Sequence, residues 1–588
     1  MSNEKKVNVM RKLLTGNEAI ARGAYEAGVR VATAYPGTPS TEILENIAQY
    51  PEIDSQWSTN EKVAVEVAQG ACFAGARVLA AMKHVGVNVA ADPLFTLGYN
   101  GVNGGFILVS ADDPGMHSSQ NEQDNRYYAK FMKIALLEPS DSQEAKDFVA
   151  AGLEISEQFD TPVMLRTTTR ISHSKSLVVL KERQEIPVKP YQKNVAKYFV
   201  VPANQRPKRP LIENRLERLA TFAETFPGNR VEGEGAEFAV ITSGTGYLYA
   251  KEALGDRATY LKLGLTWPMP SELIRDFVAK HGKVYVIEEG EPFLEEQIKA
   301  LGIPVVGKEV FPRIGELSAA IVREKLLGTK RPLLSVDCSE VPGRPPVLCA
   351  GCPHRGVFSL VSKMADIVTS DIGCYSLGYM PPLNAGDTCI DMGASIPNAL
   401  GFSKIMPDKK IVATIGDSTF LHSGITGLID VVYNRGNVTV VILDNSITGM
   451  TGHQQNPATG LDIHGNPAPR ICIEDIVRAC GVKKLWIVDA YDMSAGEDAL
   501  REALAAREPA VIIARRPCIL ILRNQVREAC EIDQSACKLC RSCLKIGCPA
   551  IEVKDGKVWI DAILCTGCGV CLQICKFNAI RKVGEVSV

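Results

Sequence analysis

Eight cysteines near the end of this 588-residue chain have a spacing that suits a shared metal or metal cluster. They form two groups, Cys537-x2-Cys540-x2-Cys543-x4-Cys548 and Cys565-x2-Cys568-x2-Cys571-x3-Cys575, and the second begins 28 residues after the first. This repetition indicates an internal duplication. Zinc held by paired Cys-x2-Cys motifs is the alternative, but triple-cysteine runs with a distal fourth fit zinc poorly. We interpret Cys518 and Cys530, which lie outside the spacing, as packing residues.

Oxygen-bearing residues at the ends of two apolar strands form a second candidate site. Asp417 follows the run KKIVATIG, and Asn445 ends the run VTVVILDN. The carboxyl ends of parallel strands lie at the edge where α/β folds bind ligands. Because magnesium takes oxygen ligands and bridges diphosphates, we expect it to bind Asp417, Asn445 and the backbone carbonyl of Ile447. The predicted cofactor-binding residues here are Gly416, Asp417, Ser418, Asn445, Ile447 and Thr448.

The dipeptide Gly-Asp occurs three times in the chain, so its context decides its meaning. Only at 416–417 does it follow a clear strand and precede an asparagine at this spacing. The pattern Gly-Asp-Ser-x26-Asn resembles that of thiamine-diphosphate enzymes. The resemblance implies that this region binds thiamine diphosphate together with Mg²⁺.

The elements that must position these residues follow from the hydrophobic pattern. Short apolar runs alternate with helix-like segments, which predicts an α/β fold with several parallel-sheet domains. The segment 186–235 is rich in Pro, Lys and Arg and is predicted to be a linker. The predicted domains are 1–185, 236–330 and 345–525, followed by a small α+β domain at 528–588 that carries the cysteines.

Composition excludes several classes of protein. There are 65 basic and 67 acidic residues, giving a net charge of −2, which disfavours a dedicated nucleic-acid binder. No run of about 18 apolar residues occurs, so no transmembrane helix and no membrane association are expected. The first twenty residues are charged and lack an apolar core, so no secretory signal is expected and the predicted location is cytoplasmic.

The cysteine tail resembles the bacterial two-cluster ferredoxin module. The resemblance implies two [4Fe–4S] clusters, in each of which the fourth cysteine comes from the other half of the repeat. Two features depart from the module: four residues precede Cys548, and Lys576 stands where a proline is expected after Cys575. The implied ligands are Cys537, Cys540, Cys543 and Cys575 for one cluster, and Cys565, Cys568, Cys571 and Cys548 for the other.

Taken in order, the motifs resemble the 2-oxoacid:ferredoxin oxidoreductase family over almost the whole chain. Within the family the likeness is greatest to large (alpha) subunits that act on indolepyruvate. The resemblance implies a pyrimidine-binding-type domain at 1–185, a transketolase-C-terminal-like domain at 236–330 and a diphosphate-binding domain at 345–525. The remaining marks of the family are Tyr35-Pro36-Gly37-Thr38-Pro39-Ser40, Asn60-Glu61-Lys62, Met82-Lys83-His84-Val85-Gly86 and Cys349-Ala350-Gly351-Cys352-Pro353-His354-Arg355.

The resemblance also implies roles for residues outside the two sites. Glu61 would activate the cofactor at its aminopyrimidine ring; a helix-start glutamate capped by Asn60, and the rival Glu66, are the alternatives. Thr38 would contact substrate, and ordinary turn chemistry is the alternative explanation of its presence. Arg126 would anchor the substrate carboxylate, or it forms a surface ion pair. Cys352 and His354 would shape the cofactor pocket, and Cys349-x2-Cys352 is not predicted to bind metal because no second pair lies nearby in sequence.

The expected reaction is oxidative decarboxylation of an aryl 2-oxoacid such as indole-3-pyruvate or phenylpyruvate. Coenzyme A would take the acyl group, and ferredoxin would accept the electrons. A separate smaller beta subunit in an α2β2 assembly is implied, because the chain has no segment left for a further domain that relatives carry. A pyruvate or branched-chain 2-oxoacid oxidoreductase, a non-oxidative decarboxylase and a non-enzymatic electron carrier are the alternatives.

Overall fold

The structure of the protein is a computed structural model that describes residues 10–330, 337–522 and 528–584. The chain divides into two units, Met1–Val336 and Asp337–Val588, and each is described by itself. Residues 1–9, which contribute to the prediction about a secretory signal, lie outside the described part. None of the described helices is long and apolar enough to cross a bilayer.

The first unit alternates strands with helices, as its apolar runs predict. Its strands are β1 (Arg11–Thr15), β2 (Val31–Ala34), β3 (Asp54–Trp57), β4 (Val78–Lys83), β5 (Phe106–Asp112), β6 (Ala135–Leu137), β7 (Val163–Thr168), β8 (Lys175–Val179), β9 (Arg230–Glu232), β10 (Phe238–Ser243), β11 (Ala258–Leu263), β12 (Leu265–Trp267) and β13 (Val284–Ile287). Its helices are α1 (Gly16–Glu26), α2 (Thr41–Ile47), α3 (Glu61–Phe73), α4 (His84–Val89), α5 (Ala91–Asn100), α6 (Arg126–Met132), α7 (Ser142–Phe159), α8 (Thr169–His173), α9 (Val195–Tyr198), α10 (Pro202–Gln205), α11 (Lys208–Ala223), α12 (Gly244–Leu254), α13 (Ser271–Ala279), α14 (Phe293–Ala300) and α15 (Ala319–Leu327).

Two parallel-rich sheets organise the first unit. The larger has the order β12-β6-β7-β5-β4-β2-β3, and all of its strands are parallel except the edge strand β12. The smaller has the order β13-β10-β11-β9, with β9 antiparallel at its edge, and β1 pairs with β8 in a separate ribbon. The central strands β4, β5 and β7 are almost fully buried, as expected for strands covered by helices on both faces.

The structure differs from the sequence-based domain plan in two places. The segment 186–235, predicted as a linker, contains α9, α10 and α11 and contributes β9 to the smaller sheet. In α11, Ile212, Leu219 and Ala223 recur on one face and are buried, a periodicity that the Pro- and Lys-rich start of the segment obscures. In addition, β12 lies within the predicted domain 236–330 but pairs with β6 of the preceding one, so the two are not separate bodies.

The second unit has one parallel sheet and a small tail. Its strands are β14 (Ile367–Ser370), β15 (Thr388–Cys389), β16 (Ile411–Gly416), β17 (Thr439–Asp444), β18 (Lys484–Asp489), β19 (Ala510–Arg515), β20 (Cys530–Ile532), β21 (Ile551–Lys554), β22 (Lys557–Ile560) and β23 (Ile580–Lys582). Its helices are α16 (His354–Met364), α17 (Ser395–Ile405), α18 (Asp417–Thr419), α19 (Ile425–Tyr433), α20 (Ile473–Ala479), α21 (Met493–Ala505) and α22 (Val570–Ile574), with a π-helix at Phe420–Gly424.

The order β15-β14-β16-β17-β19-β18 makes this sheet entirely parallel. In the tail, β20 pairs with β23 and β21 with β22, both antiparallel. One hydrophobic core joins α16 and α21 to tail residues that include Ile546, Val558 and Val570. The predicted fold class, parallel α/β domains with a small C-terminal α+β domain, is therefore confirmed.

Candidate functional site

Two adjacent strands of the second unit bring the predicted magnesium ligands together. Because β16 and β17 pair in parallel, with Gly416 opposite Leu443, both end at the same edge of the sheet. Asp417 directly follows β16, and Asn445 directly follows β17. The edge thus gathers a carboxylate, an amide and the backbone that leads to Ile447, as the sequence predicts.

Three oxygens converge at this edge. The side-chain amide of Asn445 is placed with its oxygen facing the Ile447 carbonyl oxygen at 2.7 Å and Asp417 Oδ1 at 3.2 Å. In an octahedron with Mg–O distances of 2.0–2.1 Å, neighbouring ligand oxygens lie about 2.9 Å apart. A rotated amide would instead donate hydrogen bonds to both oxygens. In either orientation the Asn445 amide lies beside the Asp417 carboxylate and the Ile447 carbonyl, so the three residues offer a donor set of the chemistry that magnesium takes.

The electrostatics of Asp417 favour a cation. The residue is 2 % exposed, and burial, followed by the neighbouring charge of Asp444, raises the pKa of its carboxyl to about 7. Asn456 donates to Asp417 Oδ2 at 3.3 Å, while Arg515 pairs with Asp444 at 2.6 Å. A divalent ion at Asp417 would supply the positive charge that favours the ionised form.

Hydroxyl groups line the same edge. Thr448 Oγ1 donates to Ser418 Oγ at 3.0 Å, so these two predicted diphosphate-binding residues lie together. Residue 416 must be glycine because the Tyr375 ring packs directly on its backbone, and a Cβ there would lie 2.5 Å from that ring. The Tyr375 hydroxyl also donates to Thr419 Oγ1 at 3.0 Å, which fixes the turn that starts α18. Diphosphate oxygens could accept from these hydroxyls.

Cys352 lies in the turn that precedes α16, and His354 is the first residue of that helix. Both are buried, and burial lowers the pKa of the His354 imidazole to about 4 and raises the pKa of the Cys352 thiol to about 12. The His354 ring meets Tyr375 edge-on with centroids 6.2 Å apart. The His354 ring therefore adjoins Tyr375, which packs on Gly416, and a neutral imidazole there suits pocket shaping better than ion binding.

The structure reveals a thiol group that the sequence analysis rejected. Burial raises the pKa of the Cys374 thiol to about 11. The nearby thiols of Cys518 and Cys349 raise it further through charge repulsion. Cys349 and Cys374 likewise act on Cys352. Four thiols can hold an iron–sulfur cluster. Cys374 and Cys518 stand alone in the sequence, so local spacing gives no sign of this proximity, and the prediction that Cys518 is a packing residue stays a prediction.

The eight tail thiols form two sets. We define the inner set as Cys548, Cys565, Cys568 and Cys571, and the outer set as Cys537, Cys540, Cys543 and Cys575. All four inner cysteines line one partly open pocket, together with Gly351 of the body and Cys530. In the outer set, the pKa of the Cys543 thiol is raised by burial and then by charge repulsion from the thiols of Cys537, Cys540 and Cys575, so all four thiols lie near one another. These sets match the two ligand groups that the ferredoxin resemblance implies.

A single zinc ion fits these sets poorly. Tetrahedral zinc with Zn–S bonds of 2.3 Å needs sulfurs about 3.8 Å apart. Within the described ranges, no three His, Cys, Asp or Glu side chains lie close enough to hold one metal ion. Backbone amides also donate to ligand sulfurs, Cys530 N to Cys565 Sγ and Ala579 N to Cys575 Sγ, each at 3.3 Å. The pocket lined by the inner set and the N–H···S bonds suit [4Fe–4S] clusters.

In the first unit, Glu61 is the first residue of α3. Asn60 caps this helix by accepting from Val63 N at 2.9 Å, as the alternative interpretation expected. The Glu61 side chain is nevertheless buried and lies against Gly86, where a Cβ would be 2.8 Å from Glu61 Oε1. The rival Glu66 is half-exposed and forms an i,i+4 ion pair with Lys62. Burial therefore favours Glu61 over Glu66 as the functional carboxylate.

Thr38 lies in a turn that also approaches Lys83. Gly37 N donates to Thr41 Oγ1 at 2.9 Å, and a Cβ on Gly37 would lie 3.1 Å from Lys83 Cβ. Lys83 Nζ donates to the Ser118 carbonyl at 2.5 Å. Burial lowers the pKa of Lys83 to about 8. In the sequence, Lys83 stands out only as part of the motif Met82–Gly86. In the structure, Lys83 is a half-buried cation beside the predicted substrate turn.

Arg126 is surrounded by protein acceptors. It is 1 % exposed and forms ion pairs with Asp124 at 2.5 Å and Glu288 at 2.7 Å. Its Nη2 also donates to the carbonyls of Glu289 and Glu291, each at 2.9 Å. These contacts tie α6 to the loop after β13. The geometry favours a structural role over the predicted role as carboxylate anchor.

Three family models match the chain. The model described as "Pyruvate flavodoxin/ferredoxin oxidoreductase, thiamine diP-bdg" matches residues 22–225. "Thiamine pyrophosphate enzyme, C-terminal TPP binding domain" matches residues 371–514, and "4Fe-4S binding domain" matches residues 558–581. Together with the parallel sheets and the thiol sets, these matches define a thiamine-diphosphate-dependent, iron–sulfur-containing oxidoreductase of 2-oxoacids.

Relatives of similar length identify the family within this class of oxidoreductases. "Indolepyruvate oxidoreductase subunit IorA" of Pyrococcus horikoshii is 43% identical, over 97% of each chain, and that of Methanothermobacter marburgensis is 42% identical, over 98% of each. The chain belongs to the IorA family of 2-oxoacid:ferredoxin oxidoreductase subunits. A solved 2-oxoglutarate:ferredoxin oxidoreductase of Magnetococcus marinus matches with a TM-score of 0.46 and 18% identity, covering 54% of this chain and 65% of that one.

Proposed function

We propose that the protein oxidatively decarboxylates aryl 2-oxoacids, indole-3-pyruvate first and phenylpyruvate next. One 2-oxoacid and one CoA give one acyl-CoA, CO₂ and a proton, and two electrons reduce two ferredoxins. The observation that carries this proposal is that one unit, Asp337–Val588, contains both a magnesium-type oxygen site and the eight tail cysteines, six of which pack on the core of that unit. The aryl preference rests on the relatives named for indolepyruvate.

The oxygen site would hold the cofactor by its diphosphate. Thiamine diphosphate, when bound, supplies the electron sink that decarboxylation of a 2-oxoacid needs. Asp417, Asn445 and the Ile447 carbonyl would bind Mg²⁺, while Ser418 and Thr448 donate hydrogen bonds to diphosphate oxygens. The buried Glu61 carboxylate would hold a proton at the aminopyrimidine ring and so orient that ring.

Substrate binding is proposed for Thr38 and Lys83. Lys83 is mostly protonated at pH 7 and can attract the substrate carboxylate, whereas the donors of Arg126 already face protein oxygens. Lys83→Met should raise KM for the 2-oxoacid about tenfold or more, with the metal and cluster content unchanged. Thr38→Ala should have a smaller effect on the same constant. An unchanged KM in Lys83→Met would return the anchoring role to Arg126.

The electron path leaves through the tail. The inner set lies against the body of the second unit: Gly351 of the body lines the same pocket as the inner cysteines, and a Cβ on Gly351 would lie 2.0 Å from Thr566 Oγ1. Cys540 of the outer set is exposed. The inner cluster would therefore receive electrons first, and the outer cluster would pass them to ferredoxin. Exposed cations beside the outer set, Lys538, Arg541 and Lys576, suit an acidic partner.

Further parts of the assembly stay predictions. We propose a smaller beta subunit in an α2β2 complex, as the subunit names of the relatives imply. CoA is the proposed co-substrate, and the cytoplasm the proposed location. The four thiols Cys349, Cys352, Cys374 and Cys518 could hold a third cluster, which would raise the iron content from eight to twelve atoms per chain.

The proposed function is tested by anaerobic dye reduction. The complex with its small partner, thiamine diphosphate, Mg²⁺ and CoA is mixed with a low-potential viologen and one of four acids: indolepyruvate, phenylpyruvate, pyruvate or 2-oxoisovalerate. CoA-dependent reduction fastest with the aryl acids supports the proposal. Fastest reduction with pyruvate or 2-oxoisovalerate would move the substrate to the alternative class. Aldehyde release without dye reduction would show that the protein is a non-oxidative decarboxylase. No turnover of any of the four acids would contradict the proposed enzymatic activity.

A further inference from the structure

A buried arginine lies between the body of the second unit and the inner thiol set. Arg355 is 4 % exposed and is the second residue of α16. Its Nε donates to the Cys349 carbonyl at 2.9 Å, and Nη2 donates to the Leu348 carbonyl. Its Nη1 donates to the carbonyls of Ile546 at 3.1 Å and Gly547 at 2.5 Å, immediately before Cys548. The guanidinium therefore joins the turn before α16 to the loop that carries an inner ligand.

The charge of Arg355 lacks a carboxylate partner. Across the described ranges its hydrogen bonds go to backbone carbonyls alone, and it forms no ion pair. The nearby groups that act most strongly on its charge are thiols, Cys548 and Cys568 of the inner set and Cys349 and Cys352 of the body. A buried cation without a counter-charge is strongly unfavourable. Thiols that ligate iron are thiolates, so an occupied inner site would supply the missing negative charge.

Among the residues that the structure describes, no buried cation comparable to Arg355 adjoins the outer set. Each set receives a backbone N–H···S bond at 3.3 Å, so these bonds do not distinguish the two. The cations near the outer set, among them Lys576, are exposed, where water and salt screen their charge. Arg355 is thus the feature that makes the inner environment electrostatically different.

We propose that Arg355 is a positioning residue that fixes a positive charge beside the inner [4Fe–4S] cluster and raises its reduction potential relative to the outer cluster. The inference rests on the proposed function, because it needs the tail to bind its clusters. Reduction adds one electron to the cluster and forms no bond. A fixed cation in a low-dielectric site stabilises the more negative, reduced state. The cluster that faces the body thereby becomes the better first acceptor.

The experiment is an EPR-monitored redox titration of the anaerobic complex as wild type, Arg355→Gln, Arg355→Lys and the control Arg581→Gln. Arg581 lies in the same tail but is half-exposed and paired with Glu531 at 2.9 Å. The inner signal is identified as the one that Cys568→Ser removes or changes. We expect Arg355→Gln to disfavour inner reduction at least tenfold, about 59 mV for one electron. Arg355→Lys and Arg581→Gln should stay near wild type, and the outer potential should not move.

The outcomes separate the inference from the function beneath it. Absence of any reducible cluster from the wild type would contradict the proposed function. Clusters present with the inner potential of Arg355→Gln unchanged, or with both potentials shifted equally, would overturn the role of Arg355. If Arg355→Gln fails to assemble the inner cluster, the Arg355→Lys variant distinguishes a charge role of Arg355 from a structural one. Retention of the inner cluster and its potential by the lysine supports a charge role, and loss of that cluster from both variants means a purely structural role.

Discussion

The oxygen site and the thiol sets of the second unit are built in opposite ways. The oxygen site takes Asp417 and Asn445 from two strands and holds them in a buried sheet edge with hydrogen bonds of its own. The thiol sets take their ligands from short loops, and much of the tail is half-exposed. A site that the sheet positions should survive loss of its ligand, whereas a loop site takes much of its stability from the cluster.

The largest expected effect isolates the oxygen site. Asp417→Asn should lower dye reduction by more than about 100-fold, because it removes the charged metal ligand. The fold and the cluster absorption should stay intact, since the sheet forms without the cofactor. Activity, visible absorption and melting temperature are measured together. The matched control is Asp430→Asn, which changes an exposed carboxylate on α19. If Asp417→Asn lost its clusters while the control kept them, the two sites would not be independent in the way proposed.

The second prediction isolates the tail. Cys568→Ser and Cys540→Ser should each lower ferredoxin reduction about tenfold or more, because each removes one cluster ligand. The inner variant should also loosen the packing of the tail on the shared core, while thiamine-diphosphate binding stays normal. Iron content, limited proteolysis and cofactor titration provide the readouts. Equal proteolytic sensitivity of the two variants would contradict the difference between inner and outer sets.

The third prediction concerns pH at the oxygen site. Because the pKa of Asp417 is raised to about 7, cation binding must displace a proton below that pH. Affinity for Mg²⁺ and thiamine diphosphate should fall about tenfold per pH unit below 7 and level off above it. The raised pKa also means that the apo fold loses stability from this group as pH rises from the ordinary carboxyl pKa towards 7. Calorimetric titrations at pH 6, 7 and 8 test this, and a flat profile would contradict it.

The smallest expected effect concerns the outer surface. Lys576→Glu should raise KM for ferredoxin about two- to fivefold and weaken its salt dependence, because the charge is exposed and screened. Viologen reduction should not change. Steady-state kinetics with both acceptors at two ionic strengths provide the measurement. An equal change with both acceptors would mean that the substitution damages the cluster instead of docking.

The two sites also differ in how far the sequence could predict them. The candidate ligands of the tail follow from local spacing, and their assignment to two clusters stays a prediction. Asp417 and Asn445 were found because parallel strand ends share an edge. The group formed by Cys349, Cys352, Cys374 and Cys518 was missed, because it joins residues from distant parts of the chain and local spacing carries no sign of it.

In the first unit, burial was the information that the sequence lacked. Arg126 looked like a free cation in a polar loop, but its partners Glu288 and Glu289 come from a distant strand end. The buried face of α11 was hidden by the Pro- and Lys-rich residues around it. Strand β12 could not be assigned to its sheet, because pairing between distant segments depends on tertiary packing.

The central claim is that oxidation of a 2-oxoacid in this protein delivers electrons to its own clusters. The direct measurement is EPR of the anaerobic complex, loaded with thiamine diphosphate and Mg²⁺, frozen after addition of indolepyruvate and CoA without an external acceptor. We predict reduced [4Fe–4S] signals in the wild type and none in Asp417→Asn. Clusters that dithionite reduces but indolepyruvate, phenylpyruvate, pyruvate and 2-oxoisovalerate all leave oxidised would contradict the account.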